Sequence, residues 1–111
     1  MSKNSIQIDK TVENLIFIRG KVREYLEMYG YLYIQNIDSM SDEDQDHIVS
    51  IGTSIIGTRL EIGFPGGSFV QAIVNNDLRG AFASADSINV NCIRFYVMMI
   101  YNLNLDGLYQ G

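Results

Sequence analysis

Apolar residues recur every three or four positions through Val12, Leu15, Ile16, Val22, Tyr25, Leu26 and Tyr29. That is the spacing of one face of an α-helix. Asp9 or Thr11 can cap its start and Gly30 its end, and residues 1–8 read as a loose N-terminal arm. Arg19 alone breaks the stripe, and Gly20 weakens the helix at its middle. Residues 31–37 are rich in strand-formers and predict one short extended segment. A lone strand makes no sheet within one chain, so this segment would pair with the same segment of another copy.

A second helix is expected at Ser41-Asp42-Glu43-Asp44, where Ser41 caps and the acids suit the positive helix end. Those acids lack the ligand offsets and closing glutamate of a calcium loop. Ile48, Ile51, Ile55 and Ile62 fit one helical face, interrupted by Arg59. Gly52, Gly57 and the alternation of Leu60, Ile62 and Phe64 leave a hairpin open over residues 48–64.

Gly63-Phe64-Pro65-Gly66-Gly67 is the clearest punctuation in the chain. Ser68 then caps a third helix with apolar rows through Phe69, Ala72, Ile73 and Val70, Val74, Leu78, Ala81, Ala85. Asp86 starts the last helix, with Asn89 in a capping-box-like position. Ile88, Cys92, Phe95, Tyr96, Met99 and Leu103 form one face, and Ile93, Val97 and Ile100 make the other side apolar too. A helix apolar all round is central, or has one face covered by a partner. The expected fold is a single all-α domain over residues 1–111, of about four helices, the last two an antiparallel pair.

Composition narrows the function. At 111 residues the chain is one domain, and only 19% of it is charged. That sparse polar coat, with seven Tyr and five Met, points to surface covered by a second copy or a partner, and a homo-oligomer is expected. A net charge of −5 argues against general nucleic-acid binding. A single cysteine, Cys92, and a single histidine, His47, build neither a disulfide nor a cysteine–histidine metal site. The opening apolar run, residues 15–18, is too short to span a bilayer, so the expected setting is cytoplasmic, away from membranes.

Two candidate sites carry chemistry. Gly66-Gly67-Ser68 places backbone N–H groups at a helix start, where a phosphate or carboxylate can sit; the plainer reading is a turn with a serine cap. Asn75-Asn76-Asp77 interrupts an apolar helix, and buried polar groups need partners. Asn75 lies one turn from Arg79, and Arg94 on the last helix is placed to pair with Asp77. Read functionally, Asn75, Asn76, Asp77, Arg79 and Arg94, with Phe82 as a stacking face, form a pocket for a base, ribose or phosphate. No residue set points to catalysis, and neither an enzyme nor a cofactor is expected.

Residues 65–102 carry an ordered set: Gly66 or Gly67, Phe69, Ala72, Asn76-Asp77-Leu78, Ala81-Phe82, Ala85-Asp86, Asn89 and Tyr101-Asn102. It resembles the pattern of a group of small, mostly uncharacterised phage and prophage proteins. The likeness covers about a third of the chain, leaves residues 1–50 out, and departs at Leu103-Asn104-Leu105, where that group has a Pro- and Trp-containing tail. The resemblance implies a phage or mobile-element origin and a helical fold, and carries no established activity. The function expected is therefore a non-enzymatic binding protein that antagonises host anti-phage defence in the host cytoplasm. It would sequester a small nucleotide signal or block a defence protein. The alternative is a structural or regulatory protein–protein interaction module of a phage or mobile element.

Overall fold

The computed structural model describes residues 3–103, with side chains from Thr11 onward. Among the described residues the fold is all-α, with six α-helices and one 3-10 turn where about four helices were expected. Helix α1, Lys3–Tyr33, begins before Asp9 and passes Gly30. Residues 3–8, expected as part of an arm, are its first turns; residues 1–2 lie outside the described residues.

Gly30 does not stop α1 because its role is packing. It is buried, and a Cβ there would stand 2.9 Å from Leu26 Cδ1. The helix continues, and the Ile34 amide donates to the Gly30 carbonyl at 2.8 Å. The extended segment expected over residues 31–37 does not form. Leu26, Gly30 and Ile34 are all buried at helical spacing, and this tertiary burial overrides local strand preference. Asn36 then turns the chain in the left-handed region, φ 58°, into a 3-10 turn at Ile37–Ser39.

Helix α2, Asp42–Arg59, starts as expected, with Ser41 Oγ accepting from the Asp44 amide at 3.0 Å. It excludes the hairpin. Gly52 admits α1 closely, since a Cβ there would stand 2.7 Å from Val22 Cγ1. The two helices run antiparallel: Arg19 Nη1 donates to Ser50 Oγ at 3.0 Å, and Arg23 Nη2 pairs with Asp46 Oδ1 at 2.6 Å. Arg19 thus sits at the edge of the interface that its stripe interrupts. Inside that edge, Ile18, Val22, Tyr25 and Leu26 of α1 are buried, with Ile48, Val49, Ile55 and Ile56 of α2 in the same core.

Each of the two long C-terminal helices expected from the sequence is split in two. Residues 68–85 become α3, Ser68–Val74, and α4, Leu78–Ser84. The last helix becomes α5, Ser87–Val90, and α6, Ile93–Asn102. Phe95, Tyr96 and Met99 of α6 are fully buried, as a central helix requires, and each contributes about 1.5–3 kcal/mol of apolar burial. No helix of the described residues is long and apolar enough to cross a membrane.

Candidate functional site

The break at residues 75–77 explains its polar triplet without a buried pocket. Asn75 closes α3, and Asn76 takes the left-handed conformation, φ 60°. The Asn76 amide donates to the Ile73 carbonyl at 3.2 Å and the Asp77 amide to that of Ala72 at 2.8 Å. That pair of bonds is a Schellman helix end, with Asn in the position usually held by glycine. Asp77 then caps α4, its Oδ1 accepting from the Gly80 amide at 3.0 Å. All three residues are exposed, so the expectation of polar groups inside a core helix is corrected.

The expected ion pair between Arg94 and Asp77 is also absent among the described residues. Arg94 instead lies over the Tyr33 ring, its guanidinium carbon 5.4 Å from the centroid. Asn75 closes α3 and Arg79 lies on α4, so the two share no helix. Ser68, Asn75 and Asp77 do line one shallow trough, with Gln71, Gly80 and Ser84, but no cationic side chain borders it. A phosphate there would meet the Asp77 carboxylate and no counter-charge.

At the glycine turn, Gly67 is the helix cap and Ser68 the first helical residue, so Ser68 does not cap with its side chain. The Gly66 amide donates to Thr58 Oγ1 at 2.9 Å, and its carbonyl accepts from Gln71 Nε2 at 2.7 Å. Gly66 is glycine for close approach: a Cβ there would stand 2.5 Å from Ser54 Oγ and from Val70 Cγ1. Its N–H is therefore committed within the fold, away from any anion.

The remaining candidates, Arg79, Phe82 and Arg94, lie on the outside of α4 and α6. Beside Phe82, the same helices expose Leu78, which the sequence reading placed in an apolar row of the third helix, and Val97 and Tyr101. Leu78 is 67% exposed, Phe82 51%, Val97 37% and Tyr101 80%. Leu78 and Phe82 are one turn apart on α4, as are Val97 and Tyr101 on α6. Leu78 and Val97 border one small depression floored by Ala81 and Ile93, with Asn76 and Asp77 also lining it, so the two helices meet there at one residue of each pair. Arg79 on α4 and Arg94 on α6 are exposed and without an acidic partner among the described residues. Asp77 is the one carboxylate at the depression's border, and it is engaged as a cap. The signal was present in the sequence as i,i+4 apolar pairs on both helices, indistinguishable there from core spacing.

His47, at the surface of α2, makes a contact. Its Nε2 lies 2.9 Å from Asp86 Oδ2, tying α2 to the start of α5. Asp86 also caps α5, Oδ1 accepting from the Asn89 amide at 2.6 Å. Burial works against the Asp86 carboxylate, but the Asn89 amide and His47 outweigh it and hold its pKa below the usual value. Behind it, the Tyr96 hydroxyl donates to Asn89 Oδ1 at 2.9 Å within the core. Burial, aided by the Asp86 charge, pushes the Cys92 thiol up to about 12, far from the thiolate a nucleophile needs. No group of three or more metal-binding side chains occurs among the described residues.

No family model matches this sequence, and neither a curated protein nor a solved structure matches it. The likeness to small phage proteins expected from the motif residues has no match behind it. Several of these have local structural work in this chain. Asn76 and Asp77 form the helix break, Asp86 caps α5, and Asn89 satisfies Tyr96.

Proposed function

We propose that this chain is a non-catalytic protein-binding module whose working surface is the α4–α6 face. The observation that carries it is the exposure of Leu78 and Phe82 on α4 and of Val97 and Tyr101 on α6, with Leu78 and Val97 bordering one depression. Aromatic and arginine side chains together are the usual anchors of protein interfaces. The phage-like motif supplies the setting: the partner is a host defence protein, met in the host cytoplasm and blocked by occlusion. Blocking a protein is favoured over sequestering a nucleotide because the polar trough between α3 and α4 offers phosphate no cation.

A photo-crosslinking side chain at position 82 in cells tests this directly. One discrete adduct is expected, lost when Leu78 and Tyr101 are changed to serine. An adduct with a protein encoded by the mobile element itself supports the second reading, a structural or regulatory module, on the same face. Absence of any adduct, or an adduct indifferent to those changes, overturns the assignment of the face.

A further inference from the structure

The basic side chains from Thr11 onward divide into two sets. Arg19 donates to Ser50 Oγ at 3.0 Å, Lys21 lies 3.8 Å from Glu24, and Arg23 lies 2.6 Å from Asp46. Arg59 donates to the Ile100 carbonyl at 3.3 Å. Arg79 and Arg94 meet no carboxylate of their own chain among the described residues, and both are exposed.

This second set falls on the helices of the α4–α6 face. On α6, Arg94, Val97 and Tyr101 are spaced i, i+3, i+7 and share one stripe. On α4, Arg79 and Phe82 are one turn apart. Arg94 is also restrained: its guanidinium carbon stands 5.4 Å from the centroid of the Tyr33 ring of α1. The ring attracts the cation through its face and supplies no carboxylate oxygen. The fork of N–H donors that matches a carboxylate therefore stays available, on a side chain already held in place.

A partner that covers Val97 and Tyr101 also covers Arg94, because the three share a stripe. A cation taken out of water without a counter-charge costs more than the surrounding contacts return. The one carboxylate at the depression between Leu78 and Val97 is Asp77, and its Oδ1 is engaged by the Gly80 amide. The counter-charge must come from the partner. We propose that the partner of the α4–α6 face is an acidic protein segment that sets an aliphatic side chain against Leu78 and Val97 and a carboxylate on Arg94. This rests on the reading of that face as the working surface and narrows it to one partner chemistry. A segment presenting Lys or Arg there would meet uncompensated like charge. A nucleic acid would meet a chain of net charge −5.

The test reads the yield of the adduct formed from position 82 in cells, in chains that also carry Arg94→Glu, Arg94→Gln or Arg94→Lys, with the unfolding midpoint of each measured alongside. Arg94→Glu is expected to lower the yield at least about tenfold and Arg94→Gln by less, while Arg94→Lys recovers part of it. Arg79→Glu, at an exposed position without an acidic partner, is expected to lower it about threefold and decides the matter should Arg94→Glu not fold. The adduct's partner peptide is expected to hold Asp or Glu close to the crosslink, and Lys in place of that carboxylate to restore the yield of the Arg94→Glu chain. An adduct lost on changing Leu78 and Tyr101 to serine but indifferent to the arginine changes keeps the face and overturns the acidic partner. No adduct at all overturns the face and this inference with it. An adduct to nucleic acid, or to a second copy of this chain, overturns the acidic partner as well.

Discussion

Helix α6 carries the same kinds of side chain on two faces with opposite fates. Inward, Phe95 and Tyr96 are fully buried; outward, Val97 is 37% and Tyr101 80% exposed, with Leu78 of α4 beside Val97. Residue type does not separate them. What separates them is which neighbours reach them: α1, α2 and α3 pack against the inner face, and nothing in the described chain covers the outer one. The inner face serves stability, and the outer face is the surface proposed for binding.

The sharpest test of that division compares two phenylalanines. Phe95→Ala is expected to destabilise the fold by about 3–5 kcal/mol, while Phe82→Ala changes it by less than about 0.5 kcal/mol. Denaturant unfolding measures both, and comparable losses would erase the distinction between the faces.

The glycine turn gives a smaller contrast of the same kind. Gly66→Ala forces a Cβ against Ser54 and Val70 and is expected to cost about 1–3 kcal/mol. Gly67→Ala meets nothing within 4 Å and loses only the preference of a helix cap for glycine over alanine, an expected cost of about 0.5–1 kcal/mol. Equal effects would mean that Gly66 is not held as described.

Smaller still are the caps. Asp77→Ala or Asp86→Ala is expected to cost about 1 kcal/mol by thermal or denaturant unfolding. Asp86 adds a pH signature. Its pKa is depressed on folding from 3.8, so the unfolded chain binds the proton more readily. Its stabilisation is therefore whole above about pH 3.8 and disappears as pH falls through the lower folded value. Asp86→Asn is expected to flatten that acid limb; an unchanged limb would show that the carboxylate is not engaged in the fold.

Much of this fold was readable from local chemistry, and the failures share a cause. Ser41 and Asp86 could be recognised as caps because capping depends on a residue and the amide three positions on. The all-α class followed from helical periodicity. Residues 31–37 were misread because burial of Ile34 against the rest of the core decides their conformation, and a local window does not contain that contact. Asn75-Asn76-Asp77 was misread for a different reason. A polar triplet in an apolar row fits both a buried network and a helix break, and only the left-handed Asn76 shows which. Once the break is placed, α4 turns Leu78 and Phe82 outward, and the expected pocket becomes a face.

The decisive measurement is partner retention by a Phe82→Ser/Tyr101→Ser double variant whose unfolding midpoint matches that of the unaltered chain. Retention is expected to fall at least about tenfold with stability preserved, because both side chains lie outside the core. Full retention by the folded variant would contradict the central claim and move the working surface elsewhere on the molecule.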